Sequence, residues 1–372
     1  MVGEVVARVE LGENPTQASY SSTFRVGSAS KMGEDQSTMR YCHWLKEPGA
    51  RVEGSRQLDA SKVQAPCIVR NPAGGFRLYY TAVGPGKPYP DCQGYILSAI
   101  SDDGLNFQAE SGIRLSPQPE VPQRSLRLLA PTVYRMEDSA WRMYMESRGP
   151  ATIPTVIASA VSSDQVHWEF EDGVRLQCDR RLGGPRFLQL PDGRGRLYCF
   201  KSANSKGVVS AITTDGLNFA LEPGCRLAAG ESEFDSSSIT AAEVIASSAT
   251  GDPWTMVYSA WQDVPAGTEI PLHPSQDVNA VERGQSADFA AASIASDMAG
   301  YRSRIFIATS PDGLTWEKGA CIIEGAGHGT DGLDAVHAED MSVIKLDDGR
   351  FRMYYAACDK DGVWRIASAV TK

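Results

Sequence analysis

The chain has 372 residues, 42 % hydrophobic and 22 % charged, with 35 Gly and 21 Pro; this is a turn-rich globular composition and excludes a disordered or fibrous chain. Thirty-six Lys and Arg against 46 Asp and Glu leave a net charge of −10. No cluster of bases stands out that could neutralise a row of phosphates, so nucleic acid and anionic membrane are excluded as partners.

The first stretch, MVGEVVARVELGENP, has acids inside its apolar run and no basic start before an apolar core, so it does not read as a secretory signal. No window approaches 18 continuous apolar residues. Residues 1–38 are read as an N-terminal extension and 39–372 as a single domain. Eight cysteines are scattered through strand-like runs without a CxxC pair or a His at metal spacing. They read as reduced, buried thiols of a cytoplasmic protein, and no metal or cofactor is expected.

One phrase recurs along the chain, Ser/Thr-x-Asp-Gly-x-x-aromatic: SDDGLNF (Ser101 to Phe107), TTDGLNF (Thr213 to Phe219), SPDGLTW (Ser310 to Trp316) and, with Gln165 in place of glycine, SSDQVHW (Ser162 to Trp168). Asp-Gly between alternating apolar runs is a hairpin signal, because Gly accepts positive φ and the Asp side chain bonds its own backbone. The phrase aspartates Asp103, Asp164, Asp215 and Asp312 are therefore assigned to the turns. Upstream of each hairpin lies an apolar strand, a polar turn and an aromatic-rich strand. The copies begin at Ala65, Ala130, Gly184, Ala241 and Asp340. These units of four short strands predict an all-β fold, a five-bladed β-propeller with blades near 58–116, 123–177, 178–228, 233–324 and 333–372.

The fifth copy runs out at Lys372 before its hairpin. The missing outer strand is found at the other end of the chain, in TMRYCHWLKEPGARV (Thr38 to Val52), so the last blade is expected to be closed by an N-terminal strand. Blade four carries an insertion at 262–302, too long and too aperiodic for an ordinary loop. Strand parity places it over the starts of the innermost strands.

This pattern resembles the five-bladed propeller superfamily of arabinanases, xylosidases, fructosidases and related glycoside phosphorylases. The resemblance implies a sugar or sugar-like small molecule bound in the central funnel. It also implies carboxylates at the starts of the innermost strands, before a proline in the first two blades and before Gly-Pro in the third. Here Ala65-Pro66, Ala130-Pro131 and Gly183-Gly184-Pro185 stand at those places. A two-carboxylate mechanism must therefore draw on other residues.

Asp59, Asp235 and Asp334 fall in one column before the inner strand, where they are either turn ligands or funnel acids. Asp340 aligns with Ala65 and Ala241, and Glu339 with Gln64. Adjacent residues of a strand point to opposite faces, and Asp340 is chosen as the one facing the channel. Glu146 ends a second strand where other copies hold Thr81, Phe200, Ser259 and Ala356, so it needs a partner such as Arg148 or Arg127. The expected catalytic groups are Asp340, Asp235, Asp59 and Glu146. The expected substrate-binding groups are Arg124, Arg127, Arg148, Trp261, Asp334 and His337, and His328 is a further candidate donor. A repurposed propeller that binds or makes a small molecule without cleaving glycosides is the main rival, and a protein-interaction platform the third.

Overall fold

The protein is described from a computed structural model. It describes residues 43–150, 152–178, 182–201, 207–230, 235, 238–247, 252–263, 301–326 and 330–372, with backbone alone at 262–263 and 301–302. The chain divides between Asp35 and Gln36, and every described residue lies in the second part. The expected extension 1–38, the body of the insertion and His328 lie outside the described residues.

The first strand, β1 (Trp44–Val52), precedes β2 (Lys62–Arg70), β3 (Phe76–Val83), β4 (Tyr95–Ser101) and β5 (Gln108–Ala109), of which the last four form an antiparallel sheet in chain order. The second sheet holds β6 (Arg127–Arg135), β7 (Trp141–Arg148), β8 (Val156–Ser162) and the short β9 (Glu169–Phe170) and β10 (Leu176–Gln177). The third holds β11 (Leu182–Gln189), β12 (Gly195–Lys201), β13 (Gly207–Thr213), β14 (Ala220–Leu221) and β15 (Leu227–Ala228). The fourth run is β16 (Ser238–Ile245), β17 (Trp254–Asp263), β18 (Tyr301–Ser310) and β19 (Glu317–Ile323). The fifth is β20 (His337–Lys345), β21 (Phe351–Cys358) and β22 (Trp364–Thr371), with β1 paired to β22 from Trp44↔Thr371 onward. One parallel contact, Ser303↔His337, joins the fourth run to the fifth. The inner strands pack β2 on β6, β6 on β11, β11 on β16, β16 on β20 and β20 on β2, so the order of neighbours returns to its start.

The recurring phrase performs two jobs. Asp103 Oδ1 accepts from the Leu105 and Asn106 amides at 2.8 Å while Gly104 takes a φ of +71°, which makes the turn. The carbonyl of that same Gly104 then accepts from Tyr354 Oη of the fifth sheet at 2.8 Å. Tyr79 reaches Gln165, Tyr144 reaches Gly216 and Tyr198 reaches Gly313 in the same way. Each hairpin is thus docked by the preceding sheet. The fourth sheet has Val257 in the tyrosine column, opposite Ile307, and the sheet after it has no Asp-Gly phrase for such a tyrosine to meet.

A second network repeats with the same spacing. Arg77, Arg142, Arg196 and Arg352 pair with Glu110, Glu171, Glu222 and Glu47 at 2.8–2.9 Å. The serines Ser98, Ser159, Ser210 and Ser368 donate to those same carboxylates. The last set takes its glutamate from β1 and its other members from β21 and β22, so the first and last described strands complete one side-chain network. The fourth sheet replaces all three positions together, with Thr255, Ile307 and Gly319. A Cβ on Gly319 would lie 2.9 Å from the Ile307 side chain, so that glycine makes room for the isoleucine.

Candidate active site

Four of the five inner strands are interrupted at the same depth by a bulge, and β16 carries its own shift one residue earlier. In β2 the register jumps from Gln64↔Thr81 to Cys67↔Tyr79, in β6 from Leu129↔Glu146 to Thr132↔Tyr144, in β11 from Gly183↔Phe200 to Arg186↔Tyr198 and in β20 from Glu339↔Ala356 to Ser342↔Tyr354. Two residues there oppose one, the side-chain alternation breaks, and the chain re-aims its first bulge residue. That residue is Ala65 (φ +49°), Ala130 (φ +51°), Gly184 (φ +54°) or Asp340 (φ +52°). In β16 the shift falls between Ile239 and Ala241, without a left-handed residue. Left-handed backbone is costly for side chains other than Gly, Asn and Asp, so three of these positions have strained or permissive small residues and the fourth presents a carboxylate.

Asp340 is half-buried, and burial pushes its carboxyl up to about 6 against the opposing pull of Arg186, Lys62 and Arg127, with Glu146 adding to the rise. Its amide donates to Ser259 Oγ at 3.3 Å. Glu146 is fully buried opposite Leu129; one oxygen accepts from Arg148 Nε at 2.5 Å and the other from the Gly184 amide at 3.1 Å. Glycine at 183 is what admits it, since a Cβ there would collide with Glu146 Oε2. Asp340, Glu146, Arg127 and Arg148, all singled out from the sequence, therefore meet in one electrostatic neighbourhood at the bulges.

The other candidates are held elsewhere. Asp59 accepts from the Arg56 amide at 2.7 Å, from its guanidinium and from Tyr80 Oη at 3.1 Å, which ties down the loop entering β2. Asp334 repeats that arrangement with Lys46 at 2.7 Å and Tyr355 Oη at 2.9 Å. Asp235 accepts from the Gly230 amide at 3.2 Å and pairs with Lys318. Arg124 ends a short 3-10 helix, Pro122–Arg124, where it bonds Gln118 at 2.6 Å and lies 4.2 Å from the Phe170 ring centre on the outer part of the second sheet. Trp261 donates its indole N–H to Glu339 Oε2 at 2.6 Å, which ties Glu339 to the fourth sheet. His337 is buried, 3.1 Å from Ser303 Oγ and stacked on Trp364 with 5.2 Å between ring centres.

Three residues at the convergence were not singled out from the sequence. Lys62 stands three positions before Ala65, as Arg127 and His337 stand before Ala130 and Asp340, and its ammonium lies 4.1 Å over Trp364. Arg186 and Glu243 occupy the column of Cys67, Thr132 and Ser342 and pair at 3.0 Å. One cation and one anion in a column of small residues is itself a signal of a buried pair. Burial raises the Glu243 carboxyl to about 7 despite Arg186. Among the described residues no group of three or more His, Cys, Asp or Glu could hold a metal ion, and no helix is long and apolar enough to cross a membrane.

No family model matches the chain, and no curated protein matches it in sequence. Solved structures do match in shape. A Parabacteroides distasonis protein provisionally described as a glycoside hydrolase superposes with a TM-score of 0.63 at 12 % identity, over 91 % of this chain and 98 % of that one. A thermostable family-43 glycoside hydrolase gives 0.57 at 13 % identity, over 88 % and 91 %. A member of the mannoside phosphorylase family that contains glycoside hydrolases targeting β-1,2 mannosidic linkages in Candida mannan gives 0.59 at 12 % identity, over 87 % and 93 %. The chain has the all-β fold of propeller-type glycoside hydrolase structures.

Proposed function

We propose that the three sheets and the two joined runs are the five blades of a propeller, closed by β1, spanning 39–372 as one domain. We propose further that the protein is a glycosidase-like enzyme acting on a sugar or sugar-like small molecule in the central funnel. Asp340 is the proton-transferring group, with Glu146 as the second carboxylate and Arg127 and Arg148 setting the charge around them. A cytoplasmic location, read from the cysteine pattern, belongs to the same proposal.

The observation that carries the reading is the conformation and environment of Asp340. It is the acid among the left-handed bulge residues, and a carboxyl titrating near 6 can give a proton to a leaving oxygen and take one back at moderate pH. Asp59, Asp235 and Asp334 are assigned to the entry loops, whose polar groups they satisfy. Incubation with a panel of aryl glycosides is expected to release chromophore, and Asp340→Asn is expected to lower that release by about 10²-fold or more. Release undiminished in the variant would remove Asp340 from the chemistry.

A second reading has its own support. Ala65, Ala130 and Gly184 leave three bulges without an acid, as in a propeller that kept its pocket and abandoned glycoside cleavage. Silence across the panel, with a thermal shift by a non-sugar metabolite, would favour it.

A further inference from the structure

Bulge carbonyls of four inner strands and a glutamate of the fifth gather around one guanidinium. Arg186 is 3 % exposed. Its Nη1 donates to the carbonyls of Pro131 and Pro185 at 3.3 and 3.1 Å, and its Nη2 to those of Pro66 and Met341 at 3.2 and 3.1 Å. Each of those carbonyls belongs to the second residue of a bulge whose first residue is left-handed. Nε faces Glu243 Oε2 at 3.0 Å. One side chain thus touches all five inner strands, and its carbonyl partners are the residues that follow Ala65, Ala130, Gly184 and Asp340.

Resting on the reading of Asp340 as the reacting acid, we infer that Arg186 is the positioning residue of the site: by gathering the four bulge carbonyls it holds the left-handed backbone from which Asp340 projects. The geometry requires arginine. A planar fork offers several donors in fixed directions, and a lysine ammonium cannot reach four carbonyls spread around it. The Met341 carbonyl follows Asp340 directly, so its bond to Nη2 restrains the strained peptide itself. Glu243 supplies the counter-charge from the fourth sheet, which lets the cation stay out of water. Around Asp340 the charged groups are Arg186, Lys62, Arg127 and Glu146. Arg186 therefore sets both where the carboxyl stands and how readily it ionises.

The full chain carrying Arg186→Lys or Arg186→Met tests this. The readouts are thermal unfolding, the pH profile and kcat of aryl-glycoside cleavage, and a carbon-13 NMR titration of the Asp340 carboxyl, assigned by its loss in Asp340→Asn. Arg186→Lys keeps a positive charge and loses the fork; kcat is expected to fall by about 10²-fold with KM little changed, as misplacement of a reacting group costs. Arg186→Met is expected to move the Asp340 titration upward. A structural role alone would lower the melting temperature in both variants and leave kcat and the Asp340 titration unmoved, and that result overturns the inference. If Arg186→Met fails to fold, Arg186→Lys decides by the same readouts. If no glycoside is cleaved by the unaltered protein, the glycosidase reading falls, and the Asp340 titration in the two variants still decides the role of Arg186.

Discussion

A carboxyl held near 6 in the folded chain is a cost at neutral pH. Asp340 has an ordinary value of 3.8 and a folded value of about 6, so between those limits the folded state binds more protons than the unfolded state and stability falls as pH rises. The sign follows from the linkage relation, and the loss is complete by about pH 7, one unit above the folded value. Asparagine removes the titration and also tolerates left-handed backbone. Asp340→Asn is therefore expected to raise the melting temperature at pH 7.5, by a free energy on the order of 2 kcal/mol, and to leave it unchanged at pH 4. Calorimetry at the two pH values checks this. An equal change at both would mean that the carboxyl is not the source of the destabilisation. Gain of stability with loss of activity is the pairing expected where a site is maintained against the preference of the fold.

At the level of elements, the hairpin phrase was readable because both of its roles are local or strictly spaced. Its Asp and Gly make the turn, and the tyrosine that docks it recurs at a fixed place on each second strand except where Val257 replaces it. The networks of Arg, Glu and Ser obey the same spacing, and Glu171 represents them. Its carboxylate holds Arg142 at 2.8 Å and accepts from Ser159 at 2.6 Å in a mostly buried setting. Glu171→Gln leaves the arginine with a neutral partner and is expected to cost about 1–3 kcal/mol, read as a lower unfolding midpoint with cleavage kinetics unchanged; an unmoved midpoint would show the pair to be screened by solvent. The site was less legible than the sheets. Strand parity was the ground for separating Glu339 from Asp340, but the bulge, which parity ignores, breaks the alternation there and puts Asp340 in left-handed backbone. The aligned acids Asp59 and Asp334 each accept from a tyrosine 21 residues further on, Tyr80 and Tyr355; the column of acids was legible, but the loop-to-strand contact that it serves was not. Arg186 and Glu243 were visible only as exceptions within a small-residue column, and their meaning depends on five strands meeting.

At the scale of the molecule, the fifth run is completed by β1. β1 supplies the last sheet with a partner strand, Glu47 completes its Arg–Glu–Ser network, and Arg51 Nη1 bonds the Leu105 carbonyl in the hairpin of the first sheet at 2.9 Å. Without β1, β22 would present an unpaired edge and Arg352 a buried charge without its counter-ion. Residues 43 and 372 are already in contact, with the Lys372 amide donating to the His43 carbonyl at 3.2 Å. Trp44 faces Thr371 at the register place where the other sheets set the hairpin aromatic against their Ser or Thr. Joining Lys372 to His43 through Asp-Gly-Leu would therefore write Thr-Lys-Asp-Gly-Leu-His-Trp, the recurring phrase itself. A permuted chain that begins at Glu53 and ends with 43–52 after this joint is expected to melt close to the unpermuted protein. A chain that begins at Glu53 and stops at Lys372 is expected to unfold at much lower temperature or to aggregate. The joint's glycine carbonyl would meet Val257 in place of a docking tyrosine, so a small deficit in the permuted chain is expected, of about one hydrogen bond or 1 kcal/mol. If the truncated chain melts with the permuted one, closure by β1 is not what holds the molecule together.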